Sequence, residues 1–147
     1  MYVIVENEFI NDKMYTSRSK YGMNLVSMKQ TKKLFKEGDK PKAIVFGSDQ
    51  NPSDPKRAHW VNFLNQDTAV LFGVEKYAKD YNWPVVFVSI SKVKRGYYEV
   101  EYSLITDKPT EQPHGKITED FTKRLEQDII SQPQYWLWSH KRWKHKR

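Results

Sequence analysis

The sequence predicts an α/β fold, a mixed and mostly parallel sheet flanked by helices, within one domain covering residues 1–147. Three observations lead there. Short runs of β-branched and aromatic residues alternate with stretches of helical period. Two runs, Ala43 to Phe46 and Val85 to Ile90, are continuously apolar, as strands buried on both faces are. The 147 residues are 38% hydrophobic and 14% aromatic, with only 6 Gly and 7 Pro, which is enough apolar surface for a single core and too much for disorder.

In order along the chain, Tyr2 to Val5 reads as a short strand. Asn7 then caps a helix that sets Phe9, Ile10, Met14 and Ser17 on one face, and Gly22 stops it. Asn24 to Met28 is a second short strand. Ser27 and Gln30 have capping-box spacing before a brief helix with Thr31, Leu34 and Phe35, which Gly38 ends. Ala43 to Phe46, between Pro41 and Gly47, is the first buried parallel strand. The polar stretch from Ser48 to Ala58 leaves its carboxyl end, where open α/β sheets bind ligands.

Val70, Val74, Tyr77, Ala78 and Tyr81 form the next helical face, broken by Trp83-Pro84. Val85 to Ile90 is the second apolar strand. From Tyr97 to Leu104, Tyr98, Val100, Tyr102 and Leu104 alternate with Glu99, Glu101 and Ser103, which predicts a strand with one wet face. After a loop with Pro109 and Pro113, Thr118 is expected to cap a helix with Glu119 and Asp120 in its first turn. Ile117, Phe121, Leu125 and Ile129 make its apolar stripe, and Pro133 closes it. Tyr135 to Trp138 leads into a basic aromatic tail, 134–147.

Charge and composition narrow the function. Lys141, Arg142, Lys144, Lys146 and Arg147 supply five of the net seven positive charges, so the first 140 residues carry only +2. Such a local basic patch suits an anionic surface, either phospholipid or nucleic acid. With no Cys there is no disulfide scaffold, thiolate zinc site or Cys nucleophile. No His cluster has metal spacing, the glycines are too scattered for a phosphate loop, and His59 and His145 carry no motif. Neither cofactor nor metal is expected. No apolar run approaches the ~20 residues of a membrane span, and Glu6 and Glu8 near the N-terminus are unlike a signal peptide.

The stretch Gln134-Tyr-Trp-Leu-Trp-Ser-His-Lys-Arg-Trp-Lys144 resembles the closing signature of the bacterial lipid A biosynthesis, or late, acyltransferases, within the lysophospholipid acyltransferase superfamily. The resemblance extends to Arg18 through Gly22, Asp49-Gln50, Phe63-Leu64-Asn65 before a helix, Pro84 through Ile90 as a strand, and Leu125-Glu126 in the late helix. It implies a partial glycerolipid-acyltransferase-like fold and transfer of a fatty acyl chain to a hydroxyl of a lipid A precursor or related lipid. The implied donor is acyl carrier protein or acyl-CoA, and the implied place is the anionic cytoplasmic face of the inner membrane.

One block of the family is missing. Its catalytic His, with a Glu or Asp five positions on, should precede the counterpart of Arg18, and none of the first 17 residues is His. His114 and Glu119 make a literal His-x4-Glu, but Pro113 precedes them and no strand feeds them. The chain is therefore expected to be the C-terminal portion of a longer enzyme, without the catalytic block and the N-terminal membrane-associated segment, and inactive alone.

By resemblance, Arg18 contacts a phosphate or the oxyanion, and Asp49 and Gln50 orient Arg18 or bind the acceptor. His140 and Arg142 join the acceptor site, while Lys141, Trp143 and Lys144 meet phosphate or membrane. Trp136, Trp138 and Trp143 are also read as core that holds the tail on the sheet. Two other functions remain open: a nucleic-acid-binding module that uses the basic aromatic tail, although nucleic acid is not the expected partner, or a non-catalytic remnant.

Overall fold

The computed structural model describes residues 6–27, 30–36 and 41–147. Its contacts divide the chain into two compact units, Met1–Gly47 and Ser48–Arg147.

In the first unit, Asn7 caps α1 (Glu8–Ser19) as expected: its backbone is extended and its side-chain oxygen accepts the Ile10 N–H at 3.0 Å. Glu8 in the first turn and Arg18 in the last complement the helix dipole. Gly22, at φ +83°, turns the chain out, and its N–H reaches the Ser19 carbonyl at 3.0 Å. No residue of α1 is buried, so its apolar stripe is not a core face.

The brief α2 (Thr31–Lys36) follows a box that is only half made. Gln30 N–H donates to the Ser27 carbonyl at 3.0 Å, and the Ser27 hydroxyl meets the Gln30 side-chain oxygen at 3.1 Å rather than capping the backbone. Of the strand expected at Asn24–Met28, residues 24–26 have no regular secondary structure and Ser27 forms only an isolated β-bridge. Met28 itself, the strand expected at Tyr2–Val5 and the stop at Gly38 all lie outside the described residues.

Ala43 to Phe46, expected as a buried parallel strand, has no regular secondary structure, and Val45 is 65% exposed.

The second unit contains β1 (His59–Phe63), β2 (Gln66–Val70), α3 (Gly73–Tyr81), β3 (Val85–Lys94), β4 (Tyr97–Thr106) and α4 (Lys116–Ser131). The ladders are antiparallel: β1 pairs with β2, and β3 with β4. The mostly parallel sheet is therefore not what the described strands build, and the connections give the reason. Parallel neighbours need a crossover of a dozen or more residues. Here Phe63 pairs with Gln66 and Lys94 with Tyr97, which leaves two-residue turns.

Leu64 and Asn65 both have positive φ, 50° and 60°, the signature of a tight hairpin turn. The left-handed backbone at Leu64 is held by its N–H, which donates to Glu126 of α4 at 2.6 Å. Phe63-Leu64-Asn65 thus leads into a hairpin, not directly into a helix.

The α3 helix ends where Trp83-Pro84 predicts: Asn82 is left-handed and the Trp83 N–H closes on the Ala78 carbonyl at 3.1 Å. The stripe of α4 is also as expected, with Ile117 and Ile129 buried and Phe121 against Phe87 at 5.5 Å. Together with Phe63, Ala69, Val70 and Ala78 these form the core.

Two local readings change. The helix begins at Lys116 behind Gly115 rather than at a Thr118 cap. The strand face predicted to turn inward, Val100, Tyr102 and Leu104, is 49–72% exposed, while the hairpin's opposite face meets α4 through Phe87 and through Ser89, whose hydroxyl donates to Asp128 at 2.6 Å. Among the described residues no helix is long and apolar enough to cross a membrane.

Candidate functional site

A sequence of tight turns directs the tail back over β1 and β2. Pro133–Tyr135 is a single 3₁₀ turn, after which His140 N–H reaches the Leu137 carbonyl at 3.0 Å and Arg142 N–H the His140 carbonyl at 2.8 Å. Trp136 stands edge-on to Phe63, with centroids 6.4 Å apart. Trp143 donates its indole N–H to the Thr68 hydroxyl at 2.9 Å. Trp136 and Trp143 therefore anchor the tail, whereas Trp138, expected to do the same, is 54% exposed.

Arg142 is the centre of this arrangement. It is 3% exposed, its Nη1 donates to the Ala69 carbonyl at 2.7 Å, and its guanidinium lies 5.5 Å from the Phe63 ring centroid. Its Nε–H has no hydrogen-bond partner among the described residues. Burial pulls its pKa below the usual arginine value, and the Asp49 carboxylate works in the opposite direction.

The 48–52 loop meets the tail at two further places. The Asn51 N–H donates to His140 Nε2 at 3.2 Å, so the proton of the neutral ring sits on Nδ1. His145 Nε2 lies 2.8 Å from the Pro52 carbonyl and donates to it.

The second unit thus brings Asp49, His140, Arg142 and Trp143 to one place, with Gln50, Lys141 and Lys144 exposed around them. Arg18 lies exposed in the last turn of α1, in the first unit. Asn51, Thr68, Ala69 and His145 belong to the arrangement but carried no sequence signal. Their contributions are backbone groups and partners 73 to 93 positions away.

A second cluster surrounds the N-terminus of α4. Glu75 of α3, fully buried, accepts from Gly115 N–H at 2.6 Å, Thr118 N–H at 2.9 Å and the Thr118 hydroxyl at 2.8 Å, with Lys79 Nζ at 3.3 Å. Burial raises the Glu75 pKa, but the bonds from Thr118, Gly115 and Lys79 outweigh it and hold the carboxyl below its ordinary value. Glu75 is the real cap of α4, supplied from another helix.

Glu119 in the first turn of that helix lies 3.2 Å from His59 Nε2. His114 instead lies against Phe72, the rings tilted by 31° with centroids 4.8 Å apart. The literal His-x4-Glu is therefore not a dyad: the carboxylate pairs with a histidine 60 positions upstream.

Compared with known proteins, residues 1–145 match the model of a family described as bacterial lipid A biosynthesis acyltransferase. No curated protein matches the chain.

Proposed function

This chain belongs to the bacterial lipid A biosynthesis acyltransferase family, and we propose that its second unit is the acceptor-holding part of such a transferase. The acyl chain moves from acyl carrier protein, or from acyl-CoA, to a hydroxyl of a lipid A precursor or related lipid at the cytoplasmic face of the inner membrane. The observation that carries this reading is the junction of the 48–52 loop with the tail. Two segments singled out by their family resemblance, 89 positions apart, are joined by the Asn51–His140 bond, and Asp49 supports the charge of Arg142.

In this reading the residues divide by exposure. Lys141 and Lys144 face solvent and meet acceptor phosphates, with Gln50 and the half-buried Asp49 beside them for hydroxyls. Arg142, almost wholly buried, positions the loop rather than touching ligand, and His140 and Trp143 hold the tail.

Acyl transfer also needs a base on the attacking hydroxyl, worth about 10²–10⁴-fold. The four histidines of the chain are 59, 114, 140 and 145, all beyond Arg18. The chain is proposed to bind acceptor and to turn over poorly. The test measures binding of a diphosphorylated lipid A precursor in detergent micelles and, separately, labelled acyl transfer from acyl carrier protein. We expect binding that Lys141→Gln with Lys144→Gln weakens at least tenfold, without measurable turnover. Failure of the wild-type chain to bind the precursor would refute the reading.

A further inference from the structure

We propose that the β3–β4 hairpin is a docking surface for an anionic phospholipid bilayer. Register puts Val86 opposite Leu104, Val88 opposite Tyr102 and Ile90 opposite Val100, all on one face. All six are 41–72% exposed. Single exposed apolar residues are ordinary, but three consecutive cross-strand pairs form a contiguous patch, which marks an interaction surface.

Charge identifies what covers it. Between residues 85 and 106 the only acids are Glu99 and Glu101, and they pair with Ser91 and Ser89 on the opposite face, where Arg124 meets Glu101 at 3.4 Å. The apolar face carries no carboxylate, and it ends at Lys92, Lys94 and Arg95 around the Arg95-Gly96 turn. Exposed Tyr97 and Tyr98 stand beside these cations, with Lys94 Nζ 4.2 Å from the Tyr97 ring centroid.

Apolar side chains bounded by tyrosines and then by lysine and arginine follow the order of hydrocarbon, interface and anionic headgroup. A protein partner would have no need of that order. The surface also continues: Lys92 Nζ lies 5.5 Å from the Tyr135 ring centroid, and Tyr135, Leu137 and Trp138 are exposed ahead of the basic tail. Among the described residues no further strand pairs with either outer edge of the hairpin, and backbone groups left there need water, so the face rests at headgroup depth and does not span.

This inference extends the lipid partner of the proposed function, but its test involves no acyl acceptor, so either can fail alone. The full chain is sedimented with vesicles of phosphatidylglycerol and phosphatidylethanolamine (1:3), and with phosphatidylcholine alone. The expected result is binding to the anionic vesicles only. Lys92→Gln, Lys94→Gln and Arg95→Gln together should weaken it about 100-fold, from about fivefold per charge. Ile90→Asp with Tyr102→Asp should abolish it at unchanged circular dichroism.

A third variant, Tyr102→Trp, alters only a solvent-facing side chain and should be quenched by brominated lipid in the same vesicles. Absent quenching, wild-type binding by the aspartate variant, or binding lost only when Lys141, Lys144, Lys146 and Arg147 are neutralised would each overturn the proposal. So would a dimer in sedimentation equilibrium that the aspartate variant dissociates, with no vesicle binding, since the occupant would then be a second copy.

Discussion

Replacing Glu75 tests how this unit is held together. Glu75→Ala leaves three donors at the start of α4 without an acceptor, those of Gly115 N–H, Thr118 N–H and the Thr118 hydroxyl, while Lys79 keeps its bonds to the Gln112 and Pro113 carbonyls at 2.8 and 3.0 Å. Each buried donor left unsatisfied costs about 1–3 kcal/mol, so the three together should cost at least about 3 kcal/mol. For a unit of this size that corresponds to a fall of at least roughly 12 °C in Tm, at about 4–8 °C per kcal/mol. Glu75→Gln keeps the volume and one acceptor oxygen, and should cost less, about 2–3 kcal/mol, because its amide N–H₂ opposes another donor.

All five tryptophans lie in residues 48–147, so their fluorescence during urea unfolding reports this unit alone. The pH dependence supplies the sharper test. The folded pKa of Glu75 is lowered, so its stabilisation is fully present above the ordinary glutamate value, about 4.3, and is lost as pH falls through the lower folded value. The gap between wild type and Glu75→Gln should hold from pH 8 to 5 and narrow below about 4.3. A gap under 1 kcal/mol at pH 7, or one that does not narrow in acid, would refute the capping role.

Three further outcomes follow from the same contacts. Gly115→Ala places a Cβ 2.6 Å from His59 Cε1 and 2.7 Å from Nε2 at a backbone φ of +87°, so it should cost about 2–4 kcal/mol and separate His59 from Glu119, read in unfolding and in the His59 imidazole NMR shifts. Glu126→Ala removes the acceptor of the strained Leu64 N–H and should destabilise by about 1–3 kcal/mol, with faster amide exchange at the Leu64–Asn65 turn. Trp143→Phe keeps the ring but not the bond to Thr68; it should cost about 0.5–1.5 kcal/mol and increase tryptic cleavage at Lys144.

What could be read in the sequence was local, and what was missed came from residues far apart. Asn7, Trp83-Pro84 and Pro133 mark helix ends through chemistry confined to a few residues, and each boundary lies where it was expected. The stripe of Ile117, Phe121 and Ile129 was visible because helical period needs only local spacing. Thr118 looked like a cap by the same local logic, and it failed because Glu75, 43 positions earlier, takes that role. Strand direction was misjudged because a continuous apolar run does not encode its partner, whereas the Leu64–Asn65 turn does. At the candidate site the resemblance named both Asp49 and Arg142. Nothing local indicated that Arg142 would be 3% exposed or that His145 would bind Pro52.

The burial of Arg142 changes how any loss of function in the tail should be interpreted. Side chains there separate into those facing the sheet, Arg142 and Trp143, and those facing solvent, Lys141 and Lys144. An inward change such as Arg142→Ala removes the bond to Ala69 and the partner of Asp49, so it disturbs the 48–52 loop even if no ligand ever touches the guanidinium. Impaired binding in that variant therefore does not by itself establish contact. Outward changes leave these bonds in place, and an effect on binding at unchanged stability assigns the contact to the exposed lysines. A cation unable to reach solvent can still organise an anion site, because the tail it fixes determines where its two neighbours hold their charge.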